Sequence, residues 1–178
     1  MMEPMSQLPA DLLARLLREQ PTLHDAERAR TESLNRSLWV PRPLTEVFAF
    51  FADASNLQLL TPPWLQFRIV TPTPIAMAVG TLIDYRIGLH GIPMRWRTRI
   101  SAWQPPHRFA DEQLRGPYST WWHEHTFQAR DGGTEIMDRV YFRAPLAALS
   151  HPLLVRGELT RIFDYRHQII GQRFGGSP

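Results

Sequence analysis

The sequence predicts an α+β domain in which a curved antiparallel β-sheet wraps around a long C-terminal helix. Two hairpins, each with one apolar face and one charged face, indicate the sheet, and an apolar stripe over residues 153–170 indicates the helix. Two short helical segments follow the first strand and would close one end of the sheet. Because the sheet must bury its apolar face against the helix, we expect an internal cavity between them.

The clearest strand signal is a hairpin over residues 121–142, whose turn is Asp131-Gly132. An Asp-Gly pair between two alternating runs is the strongest short-range hairpin signal. With these two residues as the loop, Glu124 lies opposite Arg139, and a slip of one residue would break this charge pair. The other pairs in this register are Arg130 with Gly133, Trp122 with Tyr141, Phe127 with Ile136, His123 with Val140, Trp121 with Phe142, and His125 with Asp138.

This register places polar side chains on a face that is otherwise apolar. His123 and His125 are two positions apart on one strand, so both imidazoles point to the same side. Asp138 lies opposite His125 on the neighbouring strand. A few polar groups within an apolar lining are typical of a ligand pocket. The alternative is a satisfied polar network that only specifies the register of the sheet.

A second hairpin covers residues 81–100 and turns at His90-Gly91. Its register pairs Leu89 with Ile92, Ile87 with Met94, Tyr85 with Trp96, Ile83 with Thr98, and Asp84 with Arg97. One face is therefore apolar and aromatic and the other charged, as in an antiparallel sheet with one solvated side. We expect Tyr85 and Trp96 to form an aromatic wall of the cavity, and the arginines to lie on the solvated face.

The remaining elements are shorter. They are a first strand at 37–40, helices at 44–52 and 53–60, a strand within 64–71, and a strand at 108–114. Asp111 and Gln113 share one face of this last strand with Phe109, and would add hydrogen-bonding groups to the cavity if that face points inward. Tyr118 follows the turn at Gly116-Pro117, in a position to line the cavity mouth.

The predicted organisation is an N-terminal helical extension over 1–34, one domain over 35–172, and a tail over 173–178. Leucines at helical spacing give residues 6–19 an apolar stripe, and a polar segment of weak helical character, 24–36, follows them. The simpler interpretation is an arm that packs on the domain. A dimerisation helix is the alternative, and it would make the protein a homodimer.

Composition narrows the function classes. The chain has no cysteine, which excludes disulfides and thiolate metal sites. All 20 basic residues are arginines, but the net charge is only +3, whereas nucleic-acid binding needs clustered basic patches. No apolar run approaches the roughly 20 residues of a membrane helix, and the N-terminus lacks the pattern of a signal peptide. We therefore expect a cytoplasmic protein without nucleic-acid partners or stable membrane insertion.

Seven segments together carry a family resemblance: NLQLLTPPWLQF (56–67), GTLIDYRI (80–87), IPMRWRTRI (92–100), FADEQLRGPY (109–118), WHEHTF (122–127), GGTEIMDRVY (132–141) and IFDYR (162–166). With them the chain resembles the SRPBCC superfamily, also called START-like, Bet v 1-like or polyketide cyclase/dehydrase-like, and within it a bacterial ligand-binding branch. The resemblance implies a helix-grip fold with a cavity for an apolar or amphipathic small molecule. Its members include lipid carriers, hormone receptors and aromatic cyclases, so it implies no single chemistry.

Three functional hypotheses follow. The first is a binding module for a small apolar or aromatic ligand. The second is a cyclase or dehydratase acting on a polyketide-like or aromatic substrate, with His125 and Asp138 as an acid–base pair. The third is an interaction protein that uses its outer face or N-terminal helix. The residues predicted to contact the ligand are Tyr85, Trp96, Asp111, Gln113, Tyr118, Trp121, His123, His125 and Asp138.

The same polar cluster also contains side chains that can bind metals. Two histidines and an aspartate are suitable ligand types for zinc or iron. Their spacing on strands is not specific, and the sequence contains no H-E-x-x-H pattern of a helical zinc site. The sequence therefore predicts neither a metal nor another cofactor.

Overall fold

Seven strands and three helices are present among residues 31–89, 91–144 and 152–176, which are those that the computed structural model describes. The strands are β1 (Glu32–Val40), β2 (Arg68–Ile69), β3 (Leu82–Leu89), β4 (Ile92–Gln104), β5 (Arg108–Arg115), β6 (Thr120–Arg130) and β7 (Gly133–Arg143). The helices are α1 (Leu44–Ala52), α2 (Leu57–Leu60) and α3 (Pro152–Phe174), with 3-10 turns at Ala54–Asn56 and Pro63–Leu65. The predicted helix at 6–19, nearly all of the predicted extension 1–34, the turn residue at 90 and the end of the tail lie outside the described residues.

The strands form one antiparallel sheet in the order β1-β7-β6-β5-β4-β3-β2. The predicted fold class is confirmed: a curved antiparallel sheet, short helices after the first strand and a long C-terminal helix. Helix α3 contacts β1 and α2. The sheet and α3 therefore enclose the interior from opposite sides.

Both predicted hairpin registers are confirmed. Glu124 lies opposite Arg139 and His125 opposite Asp138 across β6 and β7, and Tyr85 lies opposite Trp96 across β3 and β4. The β6–β7 turn has φ values of 51° at Asp131 and 74° at Gly132. A two-residue type I′ turn needs positive φ at both positions, which Asp and Gly tolerate best. Local chemistry therefore determines how the two strands are aligned.

Several predicted boundaries were wrong. Strand β1 begins at Glu32, within the segment predicted to have weak helical character, because its residues pair with residues 134–142 of β7. Only Arg68–Ile69 of the predicted strand at 64–71 is a strand, since a 3-10 turn and a left-handed Gln66 (φ 45°) precede it. The predicted helix at 53–60 is a 3-10 turn followed by the single-turn α2. Strand β4 and helix α3 run past their predicted ends at 100 and 170.

Several apolar clusters fill the interior, and two of them pack against opposite halves of α3. One cluster contains the phenylalanines of α1 with partners from β5, β6 and the end of α3: Phe48, Phe50, Phe51, Phe109, Phe127 and Phe174. The other contains Leu34, Val140, Phe142, Leu159 and Phe163. Between them lies the cavity described below.

The outer face of the sheet is not uniformly solvated, contrary to expectation. The arginines of β3 and β4 are exposed, as predicted. On β5, β6 and β7, however, Trp122 is only 4% exposed and packs with Ala102 and Ala110. Next to this cluster, Arg108 is 1% exposed and its Nε donates to Glu124 at 2.7 Å. Part of the outer face is thus a second core with an ion pair in it.

Gly133 is a position where added volume should destabilise the fold. A Cβ here would clash with the backbone carbonyl of Val40 and the indole of Trp39. Overpacking of this kind costs about 1–3 kcal/mol, so Gly133→Ala should lower the free energy of unfolding by that amount in urea titrations. Gly157→Ala is the control, because a Cβ there meets nothing within 4 Å and alanine favours the helix by up to about 1 kcal/mol. Equal effects of the two substitutions would contradict the packing argument.

Candidate functional site

A cavity of about 170 Å³ lies between the inner face of the sheet and helix α3. Strands β3 to β6 contribute one wall, α3 contributes the opposite wall, and the α1–α2 region closes the end. Most lining side chains are apolar, and polar groups converge on one side. Apolar walls with a few placed polar groups are the usual composition of a small-molecule site.

Four aromatic side chains form a continuous wall. The rings of Tyr85 and Trp96 are stacked, with centroids 5.6 Å apart. Trp96 meets Trp121 edge-on at 5.3 Å, and Tyr118 contacts Trp121 at 4.8 Å. The Tyr85 hydroxyl is hydrogen-bonded to Thr98 Oγ1 at 2.7 Å. Burial raises the pKa values of both tyrosines, so these phenols stay neutral.

Asp138 lies behind the two histidines and contacts both. Its Oδ1 is 3.0 Å from His123 Nε2, with which it is hydrogen-bonded, and 2.7 Å from His125 Nδ1. The second contact is an ion pair rather than an aligned hydrogen bond, because Nδ1 of His125 has no aligned acceptor among the described groups. Asp138 is 1% exposed and does not line the cavity. Its role is therefore to orient the imidazoles.

Asp111 faces the same histidines from the cavity side. It lies on β5 directly opposite His123 of β6. Its Oδ2 is 3.8 Å from Nδ1 of His123 and 3.8 Å from Nε2 of His125. Each imidazole thus lies between two carboxylates: Asp138 behind it and Asp111 at the cavity surface.

Helix α3 adds a cation to this group. Arg166 lines the cavity, and its guanidinium lies 3.8 Å from Oδ1 of Asp138. Aromatic rings hold the histidines on their other sides: Phe109 stacks on His125 at 4.2 Å, and Phe163 meets His123 edge-on at 5.4 Å. The imidazoles are therefore tightly constrained in orientation.

The two histidines differ in charge because their surroundings differ. Burial lowers the pKa of His123 to about 4, and the neighbouring His125 adds to this effect. Burial opposes protonation of His125 too, but the carboxylates of Asp138 and Asp111 outweigh it and raise the pKa of His125. Burial would raise the pKa of Asp138, yet the histidines and Arg166 hold it well below its usual value. The cluster therefore holds a proton more readily on His125 than on His123.

Seven of the nine residues predicted to contact a ligand line the cavity: Tyr85, Trp96, Asp111, Tyr118, Trp121, His123 and His125. Asp138 is behind the histidines. Gln113 does not line the cavity, because its amide is hydrogen-bonded to the backbone of Tyr118 at 2.6 Å and 3.3 Å. These two hydrogen bonds fix the backbone of Tyr118 at the cavity.

Sequence reasoning missed the contributions of the helices. Arg166, Phe163 and Ile162 of α3 line the cavity, as do Phe51 of α1 and Leu57 of α2. An arginine on an otherwise apolar helical stripe was the available signal for Arg166. For the others, apolar character alone does not distinguish a cavity wall from packed core.

The fold and the cavity define a class, the helix-grip proteins that enclose a cavity between a curved sheet and a C-terminal helix. A family model described as polyketide cyclase / dehydrase and lipid transport matches residues 40–162. The chain belongs to this family, within the SRPBCC superfamily. No match is found among curated proteins.

Solved structures share the fold at low sequence identity. A protein from Thermus thermophilus, TTHA0849, is 15% identical with a TM-score of 0.63, over 80% of this chain and 97% of that one. Ginseng major latex-like protein 151 from Panax ginseng is 10% identical with a TM-score of 0.61, over 81% and 97%. The di-domain aromatase/cyclase BexL from the BE-7585A biosynthetic pathway is 17% identical with a TM-score of 0.61, over 87% of this chain and 55% of that one.

The described helices include none that is long and apolar enough to span a membrane.

Proposed function

We propose that the protein binds a small aromatic or apolar molecule in the cavity, with a polar group of the ligand directed at Asp111, His123 and His125. The observation that carries the proposal is the arrangement of the lining, in which an aromatic wall lies directly beside these polar atoms on the sheet side of one cavity. Apolar walls contribute most of the affinity, and the polar atoms select the orientation.

The size of the cavity restricts the ligand. A dry apolar cavity of about 150 Å³ accommodates benzene, so about 170 Å³ suits one substituted ring. Typical sites for drug-sized ligands are about 300–1,000 Å³. A single-ring molecule with a hydroxyl, carbonyl or carboxylate group is therefore favoured over a fused polycyclic one.

Binding can be tested with phenol and 4-hydroxybenzoate as probes and 1-naphthol as a larger comparison. Because Trp96 and Trp121 lie in the wall, a bound ring should change the intrinsic tryptophan fluorescence. Phenol or 4-hydroxybenzoate should bind saturably with a stoichiometry of one, and 1-naphthol more weakly. Absence of saturable binding by all three probes would argue against the proposal.

Filling the cavity should abolish this binding. Ile162 is half-buried on α3 and lines the cavity, so Ile162→Trp should occupy the ligand volume and weaken binding at least about tenfold, equivalent to about 1.4 kcal/mol. Ile169→Trp is the matched control, since Ile169 is also half-buried on α3 but does not line the cavity. Unchanged binding by the Ile162 variant would place the ligand elsewhere.

A cyclase or dehydratase acting on a polyketide-like or aromatic substrate is the second candidate. The observation in its favour is His125, whose Nε2 faces the cavity side while its Nδ1 contacts Asp138 at 2.7 Å. An imidazole with a raised pKa beside a carboxylate can donate and accept a proton near neutral pH. The test is turnover of a linear polyketide analogue, which His125→Gln should remove completely, whereas phenol binding, to which the apolar walls contribute most, should be weakened but remain saturable. Binding without any turnover would leave only the first candidate.

A further inference from the structure

We infer that Asp111, His123 and His125 form a binding site for a divalent transition-metal ion at the wall of the cavity. The inference goes beyond the ligand cavity, because a metal ion would be held by these three side chains, with Asp138 behind them, whether or not an organic ligand is bound. It also differs from the sequence prediction, which considered the two histidines with Asp138 and predicted no metal. The structure instead offers Asp111 as the third ligand.

The ligand atoms already converge. One ligand atom from each of Asp111, His123 and His125 lies within 4.8 Å of the other two. Asp111 Oδ2 is 3.8 Å from a nitrogen of each imidazole. Two atoms that are each about 2.1 Å from one metal ion are about 3.0–3.5 Å apart. The two carboxylate–imidazole distances therefore need to shorten by only a few tenths of an ångström, and rotation of the imidazoles by at most about 1 Å would bring their nitrogens to the same spacing.

Asp138 supplies the outer support that such sites need. A metal-binding histidine almost always has its other ring nitrogen held by a carboxylate, a carbonyl or water. Here the nitrogens that face away from Asp111, Nε2 of His123 and Nδ1 of His125, lie 3.0 Å and 2.7 Å from the same Oδ1 of Asp138. One buried carboxylate thus orients both imidazoles so that their free nitrogens point toward Asp111.

The donor set defines the class of ion. Two imidazole nitrogens and one carboxylate oxygen suit zinc, iron or cobalt in the divalent state, and they are not the all-oxygen set of calcium or magnesium. Three protein ligands leave at least one coordination position for water or a ligand oxygen. All three side chains line the cavity, so that position faces the ligand, whose carbonyl or hydroxyl a bound ion would polarise.

The charges around the site are compatible with an ion. Asp111 and Asp138 contribute two negative charges, and Arg166, 3.8 Å from Asp138, contributes one positive charge. Because the ion would displace the proton that His125 holds, a divalent ion would change the net charge of this group from 0 to +1. The side chain of Asp111 is 18% exposed, which leaves an approach from the cavity.

The test uses the full, untagged chain after treatment with EDTA and desalting, with no organic ligand present. Isothermal titration with zinc and cobalt chloride should show one site per chain. Asp111→Asn, His123→Gln and His125→Gln should each weaken binding at least about tenfold, and Asp138→Asn by about 10–100-fold, as is usual for an outer carboxylate. Because the chain has no cysteine, the cobalt complex should show d–d bands without thiolate charge-transfer bands.

His167→Gln and Glu158→Gln are the controls, since His167 is a histidine outside the cluster and Glu158 is a carboxylate of the same cavity. Both should leave the affinity unchanged. X-ray absorption of the zinc-loaded wild type, which requires no variant to fold, should show scattering from two imidazoles. Absence of a saturable site, equal binding by all variants, or absence of imidazole scattering would each overturn the inference. Phenol binding by the EDTA-treated protein is independent of these outcomes, so the cavity proposal and the metal site can fail separately.

Discussion

Arg108→Met should lower the free energy of unfolding by about 3–5 kcal/mol, the usual cost of removing one member of a buried ion pair. Arg108 is 1% exposed, and its guanidinium donates to Glu124 at 2.7 Å and to Gln104 at 3.2 Å. Methionine has a similar length but no charge, so Glu124, itself 6% exposed, would lose its buried partner and retain the 3.2 Å contact with the partly exposed Arg139. Urea denaturation followed by circular dichroism measures the loss.

Arg99→Met is the matched control for burial. The Arg99–Glu112 pair lies on the same face with contacts of 2.8 Å and 2.6 Å, but its side chains are 49% and 29% exposed. Solvent screens such a pair, so its loss should cost at most about 1 kcal/mol. The double variant Arg108→Met/Glu124→Leu should recover part of the stability, because no unpaired charge is then buried. Similar losses for Arg108→Met and Arg99→Met would mean that burial is not the cause.

Asp138→Asn should also be strongly destabilising, by about 3 kcal/mol when assayed in EDTA. The substitution keeps the shape of the side chain but removes the charge that faces His123 and His125 at 3.0 Å and 2.7 Å. We place the loss at the lower end of the range for buried pairs because His125 can release its proton once its partner is neutral. Chemical denaturation at several pH values gives the measurement.

The pH dependence distinguishes loss of charge from loss of packing. The raised pKa of His125 contributes stability that is fully present below its unfolded value of 6.5 and is lost as the pH rises through its folded value. The lowered pKa of Asp138 contributes stability above its unfolded value of 3.8. The difference between wild type and Asp138→Asn should therefore be largest between about pH 4 and 6.5 and should narrow at higher pH. A constant difference would indicate that only packing was lost.

Asp164→Asn is the control for a carboxylate on the surface. Asp164 of α3 pairs with Arg36 at 3.3 Å, but its side chain is 61% exposed. Its removal should change stability by less than about 1 kcal/mol.

The strand pairs of both hairpins were predictable because their signals are local. Alternation in steps of two assigns each side chain to a face, and Asp131-Gly132 provides the backbone angles of the turn. These local signals alone predict that His125 lies opposite Asp138 and Tyr85 opposite Trp96, as the structure confirms. Local signals were not sufficient for segment 32–36. Its polar residues carry a weak helical pattern, and only the pairing with β7 makes the segment a strand.

The sequence by itself thus determined the fold class, the hairpin registers and the placement of polar residues on the apolar face of β6 and β7. Tertiary structure alone decided that Asp111 meets both histidines, because it sets the register of β5 on β6 that places Asp111 opposite His123. It also decided that Arg166 reaches Asp138 and that Arg108 is buried. These contacts join different elements, and the packing of the whole domain, rather than any local pattern, determines their distances.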